Sequence, residues 1–132
     1  MKISLDTNVL LRLVVGDDAA QQRTVAETLD AAELVAISVH VLCEFAWVLG
    51  RGYGVAKIDI ATAIRRILDM RNVIANRPMI EAGLAVLDTG GDFADGAIAF
   101  DGRWLGGETF VSFDRQAVKL LEEQGTAALL LA

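Results

Sequence analysis

Apolar and polar positions follow two rhythms along the chain, short apolar runs that suit strands and longer stretches with apolar residues three and four apart that suit helices. Lys2–Leu5 is a short apolar-alternating strand that ends at Asp6. Thr7–Val15 follows at helical spacing and is stopped by Gly16; Ala19–Ala32 is a second helix with Asp17 or Asp18 as its N-cap. Val35–Val39 is β-branched and apolar, the composition of a buried strand. His40–Gly50 is then a helix, apolar nearly all round, closed by Gly50-Arg51-Gly52. Ile58–Met70 is amphipathic, with Ile60, Ile64, Ile67 and Leu68 on one side, and Asn72–Ala75 is a brief strand. Asn76 can cap a helix that has Pro78 in its first turn, runs to Leu87 and ends at Gly90-Gly91. Phe93–Leu105 is another helix, stopped by Gly106-Gly107. Thr109–Phe113 is a strand, Arg115–Glu123 a helix and Ala127–Leu131 a closing strand.

Strands therefore alternate with helices throughout, and several strands are continuously apolar, as strands buried on both faces must be. The prediction is an α/β fold with a mainly parallel sheet of about five strands and helices on both faces. With 132 residues and no linker, repeat or low-complexity segment, the chain is expected to form a single domain, 1–132.

Composition narrows the setting. Hydrophobic residues make up 54% of the chain, which excludes intrinsic disorder and leaves apolar surface that a partner protein could cover. The single cysteine, Cys43, lies in the apolar run Val39–Phe45; it excludes a disulfide scaffold and suits a reducing compartment. No signal peptide is visible, and Leu34–Gly50, the longest apolar stretch, is interrupted by His40 and Glu44 and too short to span a bilayer. A cytoplasmic location is the expectation, with no membrane partner.

The net charge of −6 argues against broad nonspecific binding of nucleic acid, but the charge is unevenly spread. Residues 51–78 carry six basic groups (Arg51, Lys57, Arg65, Arg66, Arg71, Arg77) and two acidic ones, against three and seven in residues 1–50 and three and nine in 79–132. One basic segment in an acidic chain can hold a polyanion locally if a cation neutralises an acidic pocket; it can equally be a solvated helix face.

The pattern that carries chemistry is a strand followed by aspartate, seen at Ile3-Ser4-Leu5-Asp6 and at Phe110-Val111-Ser112-Phe113-Asp114. In open parallel sheets, ligands bind beyond the carboxyl ends of the strands. Glu44 interrupts an apolar segment roughly one and a half turns into a helix, where a charge is costly unless paired with an arginine or bound to metal. Asp95 lies in Gly91-Asp92-Phe93-Ala94-Asp95-Gly96 at a helix start, with Asp92 as the N-cap. Each aspartate has a purely structural alternative, since acids at helix starts cap the backbone and suit the dipole. Four acids gathered in one pocket would need a cation, and hard oxygen ligands without nearby cysteine or histidine select Mg²⁺ or Mn²⁺ over Zn²⁺.

Absent motifs exclude other chemistries. His40 is the only histidine, so a two-histidine ribonuclease is impossible, and no Gly-x-x-x-x-Gly-Lys-Ser/Thr loop is present. Ser38 and Ser112 have no suitably placed histidine to activate them and are strand-end polar residues; His40, in its apolar run, is expected to be hydrogen-bonded and structural.

Four segments in order, Asp6-Thr7-Asn8-Val9-Leu10-Leu11-Arg12, Ile37–Leu49 around Glu44, Asp92-Phe93-Ala94-Asp95-Gly96-Ala97-Ile98-Ala99 and Val111-Ser112-Phe113-Asp114, resemble the PIN-domain family. Within it they look like VapC-type toxins of bacterial toxin–antitoxin pairs. The resemblance implies a three-layer PIN fold and a Mg²⁺- or Mn²⁺-dependent endoribonuclease that hydrolyses phosphodiester bonds with metal-activated water and leaves a 5′-phosphate. Asp6, Glu44, Asp95 and Asp114 fall on the family's acidic positions, the first three as ligands of the main metal and Asp114 completing the pocket or binding a second one. Asn8 and Ser112 match supporting polar positions. Arg51, with Tyr53 beside it, Arg65 and Arg66 are the expected RNA-steering residues. A cognate antitoxin is expected to cover the groove, with Leu10, Leu11, Val14, Phe45, Trp47 and Trp104 as candidate contacts, although core packing suits the aromatics equally. A homodimer or dimer-based assembly is the implied state. Gly96, where many relatives carry a larger residue, is expected to loosen the helix start that holds Asp95.

Two rivals stand beside this reading. A haloacid-dehalogenase-type phosphatase wants Asp-x-Asp after its first strand, where this chain has Asp6-Thr7-Asn8, and a receiver domain wants adjacent acids there. A non-catalytic PIN-fold binding module would use the acids only as caps.

Overall fold

The computed structural model describes residues 1–132 and divides into two compact units, Met1–Asn76 and Arg77–Ala132. The first unit runs β1 (Lys2–Ser4), α1 (Thr7–Val14), α2 (Ala19–Ala31), β2 (Leu34–Ala36), α3 (Val39–Tyr53), α4 (Lys57–Leu68) and β3 (Val73–Ile74). Its three strands form a parallel sheet in the order β1-β2-β3, with Ile3 opposite Val35 and Val35 opposite Val73. Parallel neighbours need a crossover, and each is a pair of helices.

The strands are shorter than their apolar runs because side chains turn the chain into helices early. Asp6 accepts the Val9 N–H at 3.0 Å, and Ser38 accepts the Val41 N–H at 3.2 Å, so α1 and α3 start just past β1 and β2. The expected strand Val35–Val39 therefore ends at Ala36. At its far end α3 does not stop at Gly50-Arg51-Gly52; it continues to Tyr53 and ends at Gly54, whose φ of 65° suits a residue without Cβ. An interior glycine costs a helix about 1 kcal/mol, less than the roughly 1.5–3 kcal/mol gained by burying a leucine such as Leu49.

Helix α3 is also less apolar in structure than in sequence. Leu42, Phe45, Ala46 and Leu49 are buried, while His40, Glu44, Trp47 and Arg51 are exposed. The α4 stripe is as expected, with Ile60, Ile64, Ile67 and Leu68 buried.

Asn72, placed in the sequence at a strand start, is one of the few buried polar residues. Its amide donates to the carbonyls of Leu29 at 2.7 Å and Ala32 at 2.9 Å, closing the end of α2, while its own carbonyl accepts the Val35 N–H at 2.8 Å. One residue thus joins a helix terminus to the β2–β3 ladder.

The second unit runs α5 (Arg77–Asp88), α6 (Phe93–Trp104), β4 (Phe110–Ser112), α7 (Arg115–Glu123) and β5 (Ala128–Leu130). Strands β4 and β5 pair in parallel, with Val111 opposite Leu129. The five expected strands are all present, and each pairs in parallel within its own ladder, three strands in the first unit and two in the second. Phe110 and Ala128 pack against a core of Val86, Ala99, Leu120 and Leu121, whereas Val111 and Leu129, on the other face, are 49% and 51% exposed. This ladder alternates where strands covered on both sides were expected. No helix is long and apolar enough to cross a membrane.

Replacing Asn72 by Ala removes both side-chain hydrogen bonds and leaves the Leu29 carbonyl only the Ala32 N–H at 3.3 Å; the expected loss is about 2 kcal/mol of stability. Urea denaturation measures it as a lower midpoint at unchanged slope; an unchanged midpoint would show that the Asn72 bridge contributes nothing.

Candidate metal centre

Two helix starts in the second unit converge on one point. Asp114 caps α7, its Oδ1 accepting the N–H groups of Gln116 at 2.9 Å and Ala117 at 3.1 Å. Its own N–H donates to the Ser112 hydroxyl at 2.9 Å, so Ser112 steadies the turn that presents the carboxylate. The Gln116 side chain donates to the Gly90 carbonyl at 3.3 Å, which ties the start of α7 to the turn preceding α6. Gly90 has a φ of 96°, a turn conformation that favours glycine, and the chain re-enters a helix at Asp92.

Asp92, Asp95 and Asp114 meet there, with one carboxylate oxygen from each lying within 4.8 Å of the others. At that separation two negative charges repel by about 1 kcal/mol in bulk water and about 3–4 kcal/mol at an effective dielectric near 20. The α6 and α7 dipoles return roughly 0.3–1 kcal/mol per acid, of the same order as the repulsion in water, and a bound cation would add a larger attraction to all three. The set offers only hard oxygen donors, with no thiolate or imidazole, and so fits Mg²⁺ or Mn²⁺.

The cluster stands on an unusually close helix pair. Phe93, buried at the start of α6, lies where a methyl on Gly83 would come within 2.6 Å of its ring. A methyl on Gly96 would collide with the Ala82 carbonyl and come within 2.9 Å of Gly83 Cα. Gly96 therefore does not loosen the helix start; it lets α6 lie against α5 and fixes the turn carrying Asp95.

In the first unit, Asp6 is exposed and caps α1, so it has the strand-end placement that the sequence predicts. Asn8 lines a groove between α1 and α2 with Arg12 and Gln21. Arg12 pairs with Asp17 at 2.7 Å and donates to the Tyr53 hydroxyl at 3.4 Å; the Asp17 hydrogen bond foremost raises its pKa further. Glu44 lies on the solvent face of α3, so the expected desolvation cost does not arise, and an arginine partner is not what holds it. His40 is likewise exposed, not a buried hydrogen-bonded residue. Cys43 is half-buried, and burial raises its thiol pKa, as befits an inert core edge.

A protein-family model described as the PIN domain matches residues 3–120. The chain belongs to the PIN-domain family. No curated protein and no solved structure matches it. PIN domains are generally metal-dependent nucleases, and a cluster of three aspartates fits that chemistry.

Of the four acids expected in this PIN chain, Asp95 and Asp114 are brought together in the second unit, and Asp6 and Glu44 belong to the first. Asp92 was expected only to cap α6. It occupies the N-cap position but makes no side-chain capping bond, and its carboxylate joins the cluster. The signal was the Asp-x-x-Asp spacing, which puts both acids on one side of a first turn. Arg51 is exposed on α3, and Arg65 and Arg66 are exposed in the last turn of α4. Among the apolar residues named for a partner surface, Leu10, Leu11 and Phe45 are core; Val14, Trp47 and Trp104 are exposed by 38%, 64% and 83%.

Gly96→Ala is expected to cost about 1–3 kcal/mol through overpacking, read by chemical denaturation. Asp114→Asn keeps an acceptor for the α7 amides and removes one of three neighbouring like charges, so in metal-free buffer it should be at least as stable as wild type, whereas Asp114→Ala loses about 1 kcal/mol of capping.

Proposed function

We propose that this PIN domain, taken as one unit over residues 1–132, is a Mg²⁺- or Mn²⁺-dependent endoribonuclease, the toxin of a VapC-type toxin–antitoxin pair. The observation that carries the reading is the Asp92–Asp95–Asp114 cluster in a chain whose residues 3–120 match the family. The catalytic set comprises Asp6, Glu44, Asp95 and Asp114, to which the cluster adds Asp92. Asp92, Asp95 and Asp114 would hold the divalent cation, which when bound would supply charge neutralisation for the phosphate and a more acidic water for in-line attack.

The chain's own residues orient that site. Asp6 and Asp114 are held by the helix amides that they cap, so the carboxylates need little ordering when a cation arrives. Ser112 fixes the Asp114 turn, and Asn8 is the matching polar residue after Asp6. Arg51, Arg65 and Arg66 lie exposed in the one basic segment of an acidic chain, suited to draw in a polyanion. Val14 and Trp104 offer exposed apolar surface to an antitoxin or a second copy in a dimer-based assembly. The cytoplasm is the compartment in which such a toxin meets RNA.

One observation favours a second reading, a PIN-fold binding module without catalysis: Asp6 and Asp114 do cap their helices. Purified, antitoxin-free protein incubated with cellular RNA in Mg²⁺, Mn²⁺ or EDTA separates the two. Discrete fragments are expected with either metal, none with EDTA, and a loss of at least a hundredfold in Asp95→Asn and Asp114→Asn. The wild-type melting temperature should rise on Mn²⁺ addition, by less in Asp92→Asn and Asp95→Asn. Cleavage that survives EDTA and the Asn variants, or melting temperatures blind to metal, would return the binding module to the front.

A further inference from the structure

Four exposed residues share one stripe of α3. His40, Glu44, Trp47 and Arg51 follow one another at intervals of four, three and four residues, which at 3.6 residues per turn stacks them along a single face. The opposite face, Leu42, Phe45, Ala46 and Leu49, is buried, so the helix is anchored and the stripe faces solvent.

Trp47 is the unusual member. It is a large aromatic that is 64% exposed on a helix whose other face is buried. Phe45, two residues earlier on the same helix, is fully buried, so the core had room for an aromatic and did not take this one. Its stripe neighbours are a carboxylate one turn before and a guanidinium one turn after, so a cation for phosphate stands beside the ring.

Resting on the nuclease reading for Glu44, we propose that Trp47 is a base-stacking platform for single-stranded RNA. One nucleobase lies on the indole face while Arg51 takes an adjoining phosphate, and the strand is directed past Glu44. A flat aromatic beside a cation is the recurring device for gripping unpaired bases with little sequence preference. Arg51 also opens the one basic segment of the sequence, with six basic groups against two acidic ones over residues 51–78. Stacking also suits a site whose carboxylates repel a bare phosphate chain, because the base is bound without adding charge.

The test uses the full chain with Trp104→Phe, which leaves Trp47 as the only tryptophan emitter. A mixed-sequence, dye-labelled 12-nucleotide RNA is titrated with Ca²⁺ in place of Mg²⁺; Trp47 emission is read in the parent, and Kd from the anisotropy of the label in every variant across a salt series. Saturable quenching is expected. Trp47→Ala should weaken Kd about tenfold, the loss of roughly one base–aromatic stack, while Trp47→Phe stays within about threefold. The slope of log Kd against log salt should not change in either variant, because stacking releases no counterions, whereas Arg51→Ala should flatten it.

Emission unmoved by saturating RNA, or a Kd within twofold of the parent in a folded Trp47→Ala, overturns the proposal. So does a Trp47→Ala chain that loses a dimer in sedimentation yet binds RNA unchanged, which would make the stripe a protein interface. Absence of metal-dependent cleavage in the parent would sink the nuclease reading alone, and the titration would still decide the role of Trp47.

Discussion

Every helix begins with amide hydrogens that the helix itself cannot satisfy, and at three strand-to-helix junctions of this chain a side chain accepts them: Asp6 before α1, Ser38 before α3 and Asp114 before α7. The caps set where each strand stops, and thereby how short β1, β2 and β4 are. They also determine which atoms stand at the carboxyl ends of the strands, where parallel folds bind ligands. Asp114 gives one oxygen to two amides, so its orientation is settled before any ligand is present. The same bonds that start the helices fix the carboxylates at the strand ends.

In the second unit the cap works together with an unusually tight helix contact. Gly83 and Gly96 allow α5 and α6 to approach, and Phe93 fills the space over Gly83. Gly91 is equally confined, since a methyl there would come within 2.6 Å of Leu120 and Val86. The glycine-rich surroundings of Asp92 and Asp95 are therefore a packing requirement, with no looseness implied. A rigid base is needed where three like charges meet, because a mobile helix start would swing its acids apart.

Much of the fold was legible in the sequence because hydrophobic period and capping residues agree with each other over most of the chain. Arg115–Glu123 has the predicted bounds, and the other helices differ by a few residues at their ends. What was not legible depended on distant neighbours. Glycine signals a helix end only when nothing buried lies beyond it, so Gly50 and Gly52 misled, and only packing revealed that α3 reaches Tyr53. Glu44 looked buried because its flanking residues are apolar, yet at 3.6 residues per turn its neighbours in sequence point elsewhere. Asp6, Asp95 and Asp114 could be placed at strand ends and helix starts from local pattern. The entry of Asp92 into the cluster could not, because it depends on where α7 begins relative to the Gly90-Gly91 turn.

Helix capping alone does not account for this arrangement. Capping asks for one acceptor per helix start, and α7 has it in Asp114. Neither Asp92 nor Asp95 is required for that purpose, and Asp92 makes no capping bond although it occupies the capping position. Dipole stabilisation favours one acid at a helix start but becomes less favourable with each further acid, since repulsion grows by pairs while the dipole contribution grows singly. Serine or asparagine would cap the helices as well without adding charge. Three carboxylates with oxygens within 4.8 Å of one another would gain from a bound cation an attraction that neutral caps would not. The excess charge is thus the part of the cluster that points to metal binding, and the caps are the part that explains how the fold supports it.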